Sequence, residues 1–115
     1  MTHSDQSGSR SNVKTVAAGS VTLAVVDRGH GPPLVLLHGF PLSYSMWQAQ
    51  IEYFSRAYRV IAPDLRGFGA SQVVPGTASM EQMADDVHAL LDTLHVDESV
   101  VLAGLSMGGY VAFQF

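Results

Sequence analysis

The stretch from Val100 to Ala112 constrains the fold of this chain more than any other. It opens as an uninterrupted apolar run, Val100-Val101-Leu102-Ala103, of the kind that a strand buried on both faces requires. It passes through Gly104-Leu105-Ser106-Met107-Gly108 and goes on in small and apolar residues able to open a helix. Strand, sharp turn and helix together predict a serine in a strained backbone conformation, its hydroxyl exposed above the sheet. Gly104 and Gly108 stand two residues to either side, where a Cβ would hold strand and helix apart. Met107 falls at the helix start, where an unpaired N–H and the positive end of the helix dipole can stabilise an oxyanion. Glycine is frequent, 11 in 115 residues, so the bare Gly-x-Ser-x-Gly pattern carries little. Its flanking strand and helix, and a second segment at His38-Gly39-Phe40-Pro41, give it weight.

The rest of the chain alternates strands with helices. Val13 to Ala18 and Val21 to Asp27 are β-favouring runs joined by Gly19-Ser20, which predicts a hairpin with a two-residue turn. Arg28 to Pro33 is a loop of turn residues, and Leu34 to Leu37 is a short apolar strand. Apolar residues at Met46, Trp47, Ile51 and Phe54 predict a helix over Ser43 to Arg56. Tyr58 to Ala62 is another strand, stopped by Pro63-Asp64, and Leu65 to Gly76 is irregular. Ser79-Met80-Glu81-Gln82 is a capping box. The helix it starts carries Met80, Met83, Val87, Leu90, Leu91 and Leu94 on one face and ends near His95.

Strands that alternate with helices imply crossover connections and a parallel sheet. In such sheets the active site lies beyond the carboxyl ends of the strands. His38-Gly39-Phe40 and Ser106-Met107 both fall at that edge, so two loops distant in sequence are expected to meet.

Composition narrows the function classes. Hydrophobic residues make up 47% and charged residues 14%, which suits strands buried on both faces or a piece of a larger protein. Net charge is −4 with the cations scattered, which argues against a nucleic-acid partner. There is no cysteine, so neither a disulfide framework nor a thiolate metal site is available. No apolar run reaches the roughly 18 residues that cross a membrane. Residues 1–12 are polar and rich in Ser, with Gly8, and lack the apolar core of a signal peptide; they are expected to be a disordered leader. A cytoplasmic location follows by default.

Three segments now stand together: His38-Gly39-Phe40-Pro41-Leu42, Ala62-Pro63-Asp64-Leu65-Arg66-Gly67-Phe68-Gly69-Ala70-Ser71, and Gly104-Leu105-Ser106-Met107-Gly108-Gly109. In that order and spacing they resemble the α/β-hydrolase family, and its carboxylesterases, 3-oxoadipate enol-lactonases and cofactor-free haloperoxidases above all. The resemblance implies an α/β fold, with a β-hairpin followed by parallel strands and crossover helices. It implies Ser106 as nucleophile and the backbone N–H groups of Phe40 and Met107 as oxyanion hole, with His38, Gly39, Gly104 and Gly108 supporting them. The substrate would be a small ester or lactone, with no cofactor and no metal. A serine at position 106 speaks against the haloalkane dehalogenases and epoxide hydrolases, whose nucleophile is a carboxylate. Perhydrolysis or carbon–carbon hydrolysis on the same serine is the alternative chemistry.

The family's triad runs nucleophile, acid, histidine. Nine residues follow Ser106, none of them Asp, Glu or His, and all five histidines precede it. The expectation is therefore the amino-terminal part of a hydrolase domain over residues 13–115, truncated after the elbow. By itself it would be catalytically incomplete, its last strand open to aggregation or strand addition. His38 and Asp64 could be taken for base and acid, but a loop-bracing ring and a turn cap are the expected roles. His88 and His95 are too few and too far apart for a metal. Met46 and Trp47 are expected in the core rather than in a pocket, and Asp85-Asp86 on a solvated face.

Overall fold

The computed structural model describes residues 13–115, and the leader over 1–12 lies outside them. A five-stranded mixed sheet forms the centre. Strands β1 (Val13–Ala18) and β2 (Val21–Arg28) pair antiparallel with Ala18 opposite Val21, so the turn is the two residues Gly19-Ser20. Gly19 has φ 66°, which such turns demand. Strand β3 (Pro33–Leu37) is flanked by parallel neighbours β4 (Arg59–Pro63) and β5 (Val101–Gly104). The spatial order is β1-β2-β4-β3-β5, with β2 antiparallel to β4. The hairpin thus joins the parallel strands beside β4.

The apolar run of β3 is explained by what covers it. Leu34 and Leu36 face a smaller core with Val60, Ala62 and Ile51. Val35 and Leu37 face a larger one with Leu23, Val25, Ile61, Val87, Leu90 and Val111. Both faces being covered, alternation has no polar side to show. Helix α1 (Gln48–Phe54) packs into the smaller core. Helices α2 (Met80–Thr93) and α3 (Met107–Gln114) pack into the larger.

Two local expectations change. The helix predicted over Ser43 to Arg56 splits into a 3₁₀ turn at Tyr44–Trp47 and the short α1. At its start Tyr44 N–H, which has no acceptor within the turn, donates to the Asp64 carboxylate at 2.7 Å and so ties the turn to the loop after β4. Asp86 does not lie on a solvated face. It is buried on α2 and receives two hydrogen bonds of 2.9 Å from the Arg66 guanidinium. Asp85 beside it is exposed. Ser79 caps α2 as expected, its Oγ accepting from Gln82 N–H at 3.0 Å. Across the sheet, Asp27 on β2 takes two hydrogen bonds from Arg59 on β4, at 2.9 and 2.8 Å. Burial raises the Asp27 pKa, but Arg59 and then Lys14 outweigh it and hold the carboxyl below its ordinary 3.8. No helix among the described residues is long and apolar enough to cross a membrane.

Candidate active site

The elbow is made by backbone geometry. Ser106 stands between β5 and α3 with φ 56° and ψ −115°, a region that residues with a side chain rarely occupy. Close approach enforces the bend. A Cβ on Gly104 would overlap the Gly108 carbonyl, and one on Gly108 would overlap the carbonyls of Leu37 and His38. Ser106 is exposed, and its side chain makes no capping bond to the first turn of α3. The hydroxyl is therefore presented to solvent at the helix start.

The second loop lies against it. Leu105 N–H donates to Leu37 O at 3.2 Å, which seats the elbow beyond the carboxyl end of β3. The chain leaves β3 through His38-Gly39-Phe40-Pro41 at the same place, with the Phe40–Pro41 peptide cis. A Cβ on Gly39 would stand 3.0 Å from Leu105 O and 3.5 Å from Ser106 Cβ. Leu42 N–H closes the turn onto Gly39 O at 2.8 Å, and Gly39 N–H donates to Met46 Sδ at 3.4 Å. Among the described residues, neither the Phe40 N–H nor the Met107 N–H has an acceptor. One unpaired amide belongs to the loop that touches Ser106, and the other to the residue after it.

Two buried polar side chains brace the loop from beneath. His38 Nε2 accepts from Leu65 N–H at 2.8 Å, so that nitrogen bears the lone pair. The proton is then on Nδ1, 3.0 Å from Gly39 O. Burial pushes the His38 pKa below its ordinary 6.5, against the smaller upward pulls of the Gly39 carbonyl and Asp64. The ring is neutral and its one lone pair is spent, so His38 is not free to act as a base. Asp64, also buried, accepts from Tyr44 N–H at 2.7 Å and from Ala70 N–H at 2.9 Å. It caps the turn after β4 and also ties that turn to the segment after β3. Gly69 must be glycine there, since a Cβ would overlap the Asp64 carboxylate.

The other residues weighed from the sequence lie elsewhere. His88 stacks on Phe115 with ring centres 3.8 Å apart, and His95 sits just past α2 with φ 59°. Among the described residues, no group of three or more His, Cys, Asp or Glu could hold a metal. Trp47 packs into the smaller core. Met46 turns its sulfur to Gly39, a bracing role that no sequence pattern announces. A cleft of about 460 Å³ opens beside the loop and the elbow, and neither Trp47 nor Met46 lines it. Phe40 and Met107 do, together with the irregular segment after β4 and the start of α2. That segment has no periodicity, so its place along the cleft is not visible in the residue pattern. Its run of Phe68, Val73 and Val74 among Gly and Pro was the available signal.

Known proteins can be set beside this geometry. A family model described as alpha/beta hydrolase fold matches residues 32–115. The AB hydrolase superfamily protein YisY of Bacillus subtilis is 45% identical over 96 residues, covering 83% of this chain and 35% of that protein. Epoxide hydrolase 1 of Siraitia grosvenorii is 39% identical over 104 residues, covering 88% of this chain and 33% of that protein. The solved structure of a thermophilic esterase from Thermogutta terrifontis superposes with TM-score 0.84 at 50% identity, covering 90% of this chain and 39% of the esterase. The chain thus spans about a third of the length of the curated relatives it matches. A mixed sheet, an elbow beyond the end of β3 and a family match over residues 32–115 converge: this chain belongs to the alpha/beta hydrolase fold family.

Proposed function

We propose that this sequence carries the nucleophile half of a serine hydrolase acting on small carboxylic esters or lactones. The observation that carries the reading is the left-handed turn at Ser106, set against a loop that leaves two amides unpaired. In this reading Ser106 Oγ attacks the carbonyl carbon and its proton passes to a histidine. The carbonyl oxygen becomes an oxyanion held by the N–H groups of Phe40 and Met107. The tetrahedral intermediate collapses, the alcohol leaves with the proton, and an acyl-enzyme remains. Water, activated by the same histidine, then releases the acid and restores the serine.

The histidine and its carboxylate partner are not supplied by residues 107–115, which contain no Asp, Glu or His. His38 is excluded by its hydrogen bonds, and Asp64 by its two backbone donors. Both partners would follow Ser106 in chain order, so residues 13–115 amount to an incomplete domain. One relative is named an epoxide hydrolase; a hydroxyl rather than a carboxylate at position 106 favours ester or lactone chemistry here.

A fluorophosphonate probe tests the assignment. In a protein that joins this sequence to a downstream acid and histidine, one serine is expected to be labelled, and Ser106→Ala to remove the label. The 115-residue chain alone is expected to react at least about a thousandfold more slowly, because serine without its base is a weak nucleophile. Label that persists at full rate after Ser106→Ala overturns the proposal. Rapid ester turnover by the short chain, lost in Ser106→Ala, overturns its incompleteness.

A further inference from the structure

We infer that the cleft beside the elbow receives an uncharged, linear apolar substituent of the ester carbonyl, and that it turns away carboxylate-bearing substrates. This rests on the proposed role of Ser106 and adds the substrate class.

The cleft is continuous with the amides. Phe40 and Met107, whose N–H groups are unpaired among the described residues, both line it. A carbonyl oxygen held by those amides would leave one of its substituents at the mouth of the cleft. The volume, about 460 Å³, lies within the range of small-molecule sites.

Much of the wall is apolar and deformable, with Thr77 and Gln82 as its polar side chains besides Arg66. Met83 and Met107 are buried at the base, and Met80 is half-buried beside them. Thioether chains adapt to ligands of different length. Phe68 stands edge-on to both Phe40 and the buried His38, with ring centres 5.6 and 5.5 Å away. It joins the cleft wall to the brace beneath the oxyanion loop. Val73 is 74% exposed on the rim.

Charge decides the rest. Among the described residues Arg66 is the single cation of the lining, and Asp86 engages it through both carboxylate oxygens at 2.9 Å. The pair is mostly buried and neutral overall, so beyond the two amides at the mouth no side-chain cation offsets the cost of moving a carboxylate into the cleft.

Methyl NMR of the 115-residue chain as Ser106→Ala, with ¹³C-labelled methionine methyls, tests this without turnover. The probes are 2-butanone, 2-hexanone and 2-octanone, with adipate as the charged counterpart. The ketones are expected to shift Met80, Met83 and Met107 but not Met46. Each added CH₂ should tighten binding about three- to fourfold. Adipate should leave Met80 and Met83 unshifted, and Val73→Asp, a rim substitution, should weaken 2-octanone at least threefold. Affinity that does not grow with chain length, shifts centred on Met46, or adipate binding at Met80 and Met83 overturns the inference. The binding series is read with the hydroxyl removed, so its failure is distinct from a failure of the labelling experiment.

Discussion

The two loops that meet at the site are held in opposite ways. The loop after β3 rests on fully buried His38 and Asp64, both with their hydrogen-bond partners in place. The strand leading into it is buried along its whole length. The elbow after β5 has no buried polar brace. Its strand is only partly covered, with Val101 59% and Leu105 51% exposed. The bend is kept by the absence of side chains at Gly104 and Gly108 and is strained at Ser106. In the proposed reading, the loop that would hold amides still for a developing charge is the one anchored in the core. A loop that must present a hydroxyl depends on close backbone packing.

The largest effect expected from this contrast is at the elbow. Gly108→Ala would drive a methyl into the Leu37 and His38 carbonyls, which are fixed at the end of β3 and cannot yield. We expect a loss of about 3 kcal/mol in urea unfolding. Gly109→Ala, one residue on, would meet its nearest atom at 3.6 Å, an ordinary contact. It should gain about 0.5–1 kcal/mol from helix propensity. Equal effects at the two positions would break the claim that close approach makes the bend.

The braced loop is tested by pH. His38 has its folded pKa pushed below the ordinary 6.5, so the unfolded chain takes up a proton that the folded ring refuses. Stability from this group is complete above about pH 6.5 and falls as the pH drops below it. The decline, at most about 1.4 kcal/mol per pH unit, ends once the folded ring is protonated. Asp27 acts later: its folded pKa lies below 3.8, so its contribution starts to be lost only as acidity approaches that value. A ring that titrates by NMR at or above pH 6.5 would remove the brace as described.

The smallest effect sharpens the contrast. Ser106→Gly should relieve about 1–3 kcal/mol of backbone strain while adding the conformational entropy of glycine. A net gain of about 1 kcal/mol in unfolding free energy is expected, together with loss of covalent labelling. A neutral or negative change would mean that the serine sits at its turn without strain.

Much of this was legible in the residues. The hairpin at Gly19-Ser20, the capped start of α2 and the strand–Ser106–helix turn all rest on short-range rules. The structure departs from the sequence expectation where a partner far along the chain decides the outcome. Asp86 has the sequence surroundings of a surface carboxylate and is buried because Arg66 reaches it. The helix expected over Ser43 to Arg56 starts instead as a 3₁₀ turn, whose first N–H, that of Tyr44, is held by Asp64 from twenty positions along. The cleft walls come from a segment without period, which has no local signature to read.

By itself, the sequence determined which residues bend the chain, which cover the sheet and where a strained serine must stand, because sterics and hydrophobic period act over a few residues. Only the tertiary structure decided that the hairpin lies beside β4, that His38 is spent as a brace, and that Phe40, Phe68 and Met107 close around one cleft. Those outcomes depend on hydrogen bonds and contacts between residues tens of positions apart, and no local pattern encodes the distance between them.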